Sequence, residues 1–408
     1  MSKKWRSLFI CRREKIINMG IFKKIHADIV IIGAGIAGLW LLNRLVSLGY
    51  QAILIDNQGI GGFQTLHSQG IIHGGAKYAL TGSVTKAAMN ISHMTKLWSD
   101  CVSGKGEIDL STVKILSHHH LLWTRGRFTA GLKSFISSKI LVSDSAVLNP
   151  KNYPEVFKNA EFFGSVCQCE ETVFDVGSLI EILAKPHRER ILLSSPETQF
   201  IWGSKGLDLI KWEDVELTAD QFVFTAGEGV EKLLEPLENS PKMQRRPLHM
   251  VYLKAPKLPK IYAHCIESGT KPRVTITTHT AEDGREVWYL GGEIAEQGVK
   301  RNSEEQIKFA QSELQELLPW VNLSQAKWHS FLINRAEGEM PNHTRPDVPI
   351  IKKIQNIQVV WPTKLTFAPL AAAEVLKNLQ PVSQKTDQAI LDLLGIKKAP
   401  LLAALWNQ

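Results

Sequence analysis

Residues 27–56, ADIVIIGAGIAGLWLLNRLVSLGYQAILID, constrain the fold more than any other part of the chain. Asp28 to Ile32 is an apolar, β-branched run that predicts a strand. Ala37 to Leu48 repeats apolar residues at helical spacing, and Ala52 to Ile55 predicts a second strand. Between the first strand and the helix stands Gly33-Ala-Gly35-Ile-Ala-Gly38, a G-x-G-x-x-G in the strand-to-helix context that gives the pattern meaning. Gly33 permits the tight turn, Gly35 with Ile36 and Ala37 offers bare backbone to a pyrophosphate, and Gly38 lets the helix lie close to the strand. The phosphates then meet the positive end of the helix. Asp56 closes the second strand, where its carboxylate can accept from an adenosine ribose hydroxyl; its charge disfavours a 2′-phosphate, so NADP is not expected.

At 408 residues the chain predicts two joined domains rather than one. Its composition, 44% hydrophobic and 22% charged, excludes disorder. Of the net charge of +8, residues 1–27 carry +7, from eight Lys and Arg against Glu14, which leaves +1 for the remainder. A nucleic-acid-binding body is therefore not expected. The basic segment reads as a solvated extension, as a weak peripheral contact with anionic lipid, or as sequence upstream of a working start at Met19. The longest apolar run, IVIIGAGIAGLWLL, has 14 residues, short of the ~20 that span a bilayer. Five cysteines show neither a disulfide framework nor zinc spacing, and Cys167 and Cys169 read as buried thiols, so a cytoplasmic setting is expected. That setting includes the inner face of the membrane if the basic segment touches it.

DQFVFTAGEGVEKLL (220–234) and IQVVWPTKLTFAPLAAAEVLKNL (357–379) repeat the order of strand, turn and helix, as if one parallel sheet were assembled from distant segments. STVKILSHHHLLWTR, PLHMVYLKAP, RVTITTHT and EVWYLGGEI instead alternate like half-buried antiparallel strands. The expected class is α/β plus α+β, a Rossmann-like dinucleotide-binding domain with an interleaved antiparallel-sheet substrate domain. The expected divisions are an extension at 1–27, nucleotide-domain segments at 28–85, 173–240 and 333–385, substrate-domain segments at 86–172 and 241–332, and a tail at 386–408.

The G-x-G-x-x-G alone does not separate NAD from FAD. Asp56, however, is followed by the glycine-rich QGIGGFQTLHSQGIIHGGAKYALTG, where an NAD domain would enter its next helix. Here the sequence resembles the D-amino-acid oxidase-like flavoprotein superfamily, which passes such a segment along the flavin. SQGIIHGGAKY is most similar to the S-G-x-I-H-x-G stretch of L-2-hydroxyglutarate oxidases and, less closely, of FAD-dependent glycerol-3-phosphate dehydrogenases. VFDVGSLIEILA, FVFTAGEGVEKL and EGEMPNHTRPDVPII are similar to later motifs of the same families.

The resemblance implies FAD as cofactor, held by the glycine-turn residues and by Asp56, Asn57, Gln64, Thr65, Ser68, Gln69, Gly70, Ala226, Gly227, Lys364, Leu365 and Thr366. It delivers His73 to the substrate face of the flavin, with Gly70 and Gly74 kept bare so that the ring can lie close. Oxidising a carbon that bears OH or NH needs a hydride acceptor, flavin N5, and a base of near-neutral pKa, which nominates His73. His73 could instead only hydrogen-bond the flavin or the backbone. Lys364 stands in a turn where the family usually has glycines; with the helix beginning near Thr366 it would stabilise charge developing on the flavin, unless it is simply solvated. An acidic substrate would want an arginine fork. Arg246, Arg335 and Arg345 are the candidates, and the family's substrate arginine aligns with either Met340 or Arg345. Trp123, Trp288 and Trp361 are expected near a substrate. No metal is expected, because His118, His119 and His120 alternate faces on a strand.

These features predict an FAD-dependent oxidoreductase acting on a small polar molecule, with a 2-hydroxy acid favoured. An amine or amino acid is the enzymatic alternative, and a flavin-binding module docking on RNA or membrane is the alternative of another class. The sequence leaves open the electron acceptor, covalent attachment through His67 or His73, and the oligomeric state.

Overall fold

A computed structural model describes residues 22–73, 86–126, 146–267, 271–380 and 393–407. Residues 1–21, which hold most of the basic segment, and Gly74 lie outside the described residues.

The first layer is a mixed sheet whose heart is five parallel strands in the order Ile357–Trp361, Val215–Phe224, Lys23–Ile32, Ala52–Asp56, Ile191–Leu193. They come from widely separated parts of the chain, as the recurring strand-turn-helix pattern predicts. We label Lys23–Ile32 β1, Ile36–Ser47 α1 and Ala52–Asp56 β2. Both faces of this sheet are covered, which is why Ile29 to Ile32 of β1 and Ala52 to Ile55 of β2 are unbroken apolar runs. Ile29, Ile31, Leu54, Val223 and Val360 pack on one side against α1 and the helices Val176–Ala184 and Ala368–Leu376. Val30, Ile32, Ile53, Ile55 and Phe222 pack on the other with Leu207, Ile210 and Trp212 of an antiparallel hairpin that extends the sheet.

The second layer is an eight-stranded sheet in the order 327–338, 243–255, 286–291, 274–280, 262–265, 120–124, 165–169, 146–147. Among the described residues its pairs are antiparallel except for one, Tyr262–Cys265 beside His120–Thr124, which run parallel. Residues alternate between its faces: Val251, Leu253, Val274, Ile276 and Leu290 form a core with the helix Ser303–Leu317, while Met250, Thr275 and Gly291 face the cavity described below.

Several boundaries differ from expectation. β1 begins at Lys23, where Lys23 to Ala27 pair with Val215 to Ala219, so these residues belong to the sheet and not to the extension. The helix Lys86–Val102 packs Met94 and Trp98 into the core of the first layer, although its sequence lies in the expected substrate segment. The strand Lys327–Gly338 runs through the expected boundary at 332. The segment read as a tail is built in: Leu401 bridges Ile60, Lys398 bridges Leu192, and Trp406 packs with Tyr289 of the second sheet. Trp123, Trp288 and Trp361 are fully buried core residues, and none of them lines the cavity.

Candidate active site

A cavity of about 830 Å³ opens along the carboxyl ends of the parallel strands and reaches the inner face of the second sheet. Strand ends are where an open α/β sheet leaves a crevice, since the turns there diverge to opposite faces. Gly33, at φ +112°, turns the chain into α1; a Cβ there would stand 2.7 Å from the Ala226 backbone. Gly38 does not line the cavity. Its Cβ would stand 2.1 Å from the Gly33 carbonyl oxygen and 2.8 Å from Thr225 Oγ1, so its task is to seat α1 against the strand ends.

The N-terminus of α1 carries no side-chain cap and no acidic residue in its first turn, yet Gly35, Ile36 and Ala37 line the cavity. A helix end whose backbone faces a cavity, with no acidic residue in its first turn, suits an anion. Thr65 Oγ1 accepts from Ile36 N (3.0 Å) and so ties the segment 63–70 over this end. Ser68 Oγ, in the same wall, is buried with no hydrogen-bond partner among the described residues. Asp56 accepts from the backbone N–H groups of Ala34 (2.8 Å), Gln58 (2.9 Å) and Gly59 (3.0 Å), which fixes its carboxylate at the rim of the crevice. A glycine cradle, a helix end with no acidic residue in its first turn, a buried hydroxyl in the same wall and a fixed carboxylate suit a diphosphate joined to a ribose, and so fit FAD.

Asn57, Gln64, Gln69, Gly70, Ala226, Gly227, Lys364 and Leu365 also line the cavity. Gln69 Nε2 donates to the Tyr289 carbonyl (3.0 Å) and so pins the segment to the second sheet. The reason for Gly70 differs from expectation: at φ +72°, its Cβ would meet the Phe174 carbonyl oxygen at 2.2 Å, so the chain's own backbone excludes a side chain there. Thr366 is buried and does not line the cavity. Its Oγ1 accepts from His73 N (3.1 Å) while its carbonyl accepts from Trp98 Nε1 (3.0 Å), so it supports His73 from behind. Lys364 follows Thr363, which sits at φ +64°, and its ammonium lies 5.2 Å from the Phe367 ring centroid.

Sequence reasoning missed one end of the cavity, formed by Ser194, Ser195, Thr198, Phe200 and Trp202. Ser194 directly follows the strand Ile191–Leu193, and its N–H donates to the Asp56 carbonyl (2.9 Å). A three-residue strand in a run such as ERILLSS gives no periodic signal.

His73 is half-buried, its ring stacked on His264 at 5.8 Å between centroids and 17° between planes. His73 Nδ1 lies 3.4 Å from Oε2 of Glu171, a buried carboxylate. Burial lowers the His73 pKa below its ordinary value; Glu171 opposes the shift, while Lys364 and Arg345 add to it. Its imidazole is therefore neutral at neutral pH. Burial also pushes His67 down to about 4.

The three candidate arginines gather, but not equivalently. Arg345 lines the cavity, and its buried Nε has no hydrogen-bond partner among the described residues. Of the two residues that could align with the family's substrate arginine, Arg345 lines the cavity and Met340 does not. Arg335 also lines the cavity; its Nε donates to the Arg246 carbonyl (3.1 Å), and burial beside Arg246 lowers its pKa to about 10. Arg246, expected at the substrate, does not line the cavity and stands behind its wall with Nε 3.2 Å from the buried carboxylate of Glu337. Against these three cations stand Glu296 and Glu337, so the cluster keeps a net positive charge.

Of the three consecutive histidines only His120 lies on a strand, His120–Thr124, so they do not alternate along one; His119 is half-exposed beside Glu170 (3.1 Å) and His120 is fully buried. Among the described residues no helix is long and apolar enough to cross a membrane.

A family model described as FAD dependent oxidoreductase (DAO) matches residues 28–375. The chain belongs to this family. It is 42% identical over 386 residues, 94% of this chain and 98% of the relative, to the probable FAD-dependent oxidoreductase PA4991 of Pseudomonas aeruginosa. The crystal structure of the Pseudomonas protein has a TM-score of 0.80 at 36% identity, covering 94% and 98% of the two chains. Two more distant structures share the fold. One is iminodiacetate oxidase from Chelativorans sp. BNC1 (TM-score 0.63, 16% identity, 92% and 100% covered). The other is dithionite-reduced L-alpha-glycerophosphate oxidase from Mycoplasma pneumoniae with FAD bound (0.59, 13%, 94% and 98%). The protein is thus an FAD-dependent oxidoreductase of the D-amino-acid oxidase-like superfamily, with a Rossmann-like cofactor domain.

Proposed function

We propose that this FAD-dependent oxidoreductase oxidises a small 2-hydroxy acid at the carbon bearing the hydroxyl, with the second sheet as the substrate wall. The observation that carries the reading is a guanidinium nitrogen of Arg345 with no hydrogen-bond partner among the described residues, in a cavity that also holds a neutral His73. Arg345 offers a fork to the substrate carboxylate, with Arg335 adding positive charge beside it. When bound, FAD supplies the two-electron acceptor that takes the hydride from the substrate carbon. The hydroxyl proton goes to neutral His73, and the C–O bond becomes a carbonyl.

An amine or amino acid remains the second reading, since Glu296 lines the cavity and a carboxylate would receive an ammonium. Both Glu296 oxygens are already engaged, by Arg335 (3.5 Å) and Lys271 (3.0 Å), which favours the hydroxy acid. A docking role on RNA or membrane would depend on the basic segment, and deleting residues 1–18 would then abolish partner binding while leaving flavin reduction intact.

Arg345→Met removes the fork without creating a void. Loss of a charge-assisted pair of about 3 kcal/mol is expected to raise KM for the hydroxy acid about 10²-fold, with kcat changed far less. Steady-state kinetics check this, and an unchanged KM removes Arg345 from the site.

A further inference from the structure

Four consecutive residues, Gly70 to His73, run antiparallel to 171–174 in a single register. Phe174 N donates to the Gly70 carbonyl (2.9 Å), Ile72 N donates to the Thr172 carbonyl (2.9 Å), and Ile71 bridges Val173. Continuing that register sets His73 opposite Glu171 as a non-hydrogen-bonded pair, the kind in which side chains come closest. Gly70 keeps the register, because any Cβ there would collide with Phe174. The His73 backbone is tied separately to Thr366.

We propose that Glu171 is the positioning residue for His73: its carboxylate accepts from Nδ1–H, fixes the tautomer and leaves the Nε2 lone pair facing the cavity. This rests on the reading of His73 as the base. A base that must accept a proton on one nitrogen works only if the other carries its proton beforehand, and a buried acceptor on Nδ1 secures this state. The carboxylate also steadies the imidazolium that forms when the substrate proton arrives, without itself taking that proton. The charged or titratable groups around His73 come from separate elements: Glu171 from the antiparallel partner, His264 stacked from the strand Tyr262–Cys265, Lys364 from the turn before the last helix, and Arg345 from the segment after Lys327–Gly338. Glu171 is the one anionic group of this set.

The test uses holoenzyme labelled with ¹⁵N-histidine, the His73 signals being assigned as those lost in His73→Asn. In the wild type the ring is expected as the Nδ1–H tautomer with unprotonated Nε2. In Glu171→Gln the preference for that tautomer is expected to weaken and the His73 titration to move to lower pH, because an opposing charge has been removed. Anaerobic flavin reduction by lactate and malate at varied pH gives the second readout. Glu171→Gln should lower the limiting rate about 10²-fold with little change in KM and carry the acid limb to lower pH. Glu171→Asp, which keeps the charge, should recover part of both. Placed on His73→Asn, Glu171→Gln should add almost nothing. An unchanged tautomer and acid limb, or a full further loss in the His73→Asn background, would overturn the proposal and leave Glu171 a structural residue. If Glu171→Gln fails to fold, the Glu171→Asp titration and the wild-type tautomer still decide. Should His73→Asn reduce flavin at the wild-type rate, the reading of His73 as base fails, a result separate from the tautomer measurement.

Discussion

His73→Asn is expected to lower the rate of flavin reduction by a 2-hydroxy acid by about 10²–10⁴-fold, the range that a positioned general base contributes, while FAD content stays at the wild-type level. Asparagine keeps much of the ring's size and polarity but accepts no proton at neutral pH. The backbone hydrogen bond to Thr366 comes from the main chain and survives the change. The pH dependence follows from the direction of the His73 shift. Burial holds its pKa below the ordinary imidazole value, so the neutral, active form predominates at neutral pH. The rate should rise as pH increases through that lowered pKa and stay flat from neutrality upward as far as His73 is concerned. In His73→Asn the acid limb should disappear with the activity. Rapid-mixing absorbance under anaerobic conditions measures both. A variant that keeps its rate, or a wild-type limb above the ordinary imidazole range, would contradict the assignment.

Gly38→Ala is expected to have the second large effect, on cofactor retention. A methyl group at this position would stand 2.1 Å from the Gly33 carbonyl oxygen, a backbone atom that cannot rotate away. Helix α1 must then shift off the strand ends, moving the uncapped helix terminus away from the diphosphate position. Overpacking of this kind costs about 1–3 kcal/mol in stability, and the misplaced helix end adds a loss of affinity for FAD. The purified variant should carry clearly less flavin per chain than the wild type, with a lower melting temperature. Gly126→Ala is the matched control, since no atom of the described residues lies within 4 Å of a Cβ there. Full flavin content in Gly38→Ala would show that the glycine is not needed for cofactor binding.

The cofactor half of the molecule was legible because its chemistry is local. Gly33, Gly35, Gly38 and Asp56 lie within one β-α-β unit, where each residue's task follows from its position relative to a strand end. The start of β1 was not legible: Lys23, Lys24 and His26 look like a charged extension, and only pairing with Val215 to Ala219 makes them a strand. The helix Lys86–Val102 carries no mark of the layer to which it belongs; Trp98 is claimed by Thr366 and Phe174, both remote in sequence. The site's acid was hidden for the same reason. Glu171 is far from His73 along the chain, and nothing in CEETVFD distinguishes it from exposed Glu170 until the register with Gly70 to His73 is known. Arg345 and Met340 could not be separated by motif alignment, because the question was which one reaches the cavity.

The most direct test is an absorption spectrum of the purified protein, recorded anaerobically before and after addition of lactate, malate, 2-hydroxyglutarate, glycerol-3-phosphate and a set of amino acids and amines. The account predicts flavin bands in the protein as purified, bleached by at least one 2-hydroxy acid and left unchanged by the amines and amino acids. Bleaching by amines or amino acids alone would contradict the substrate assignment.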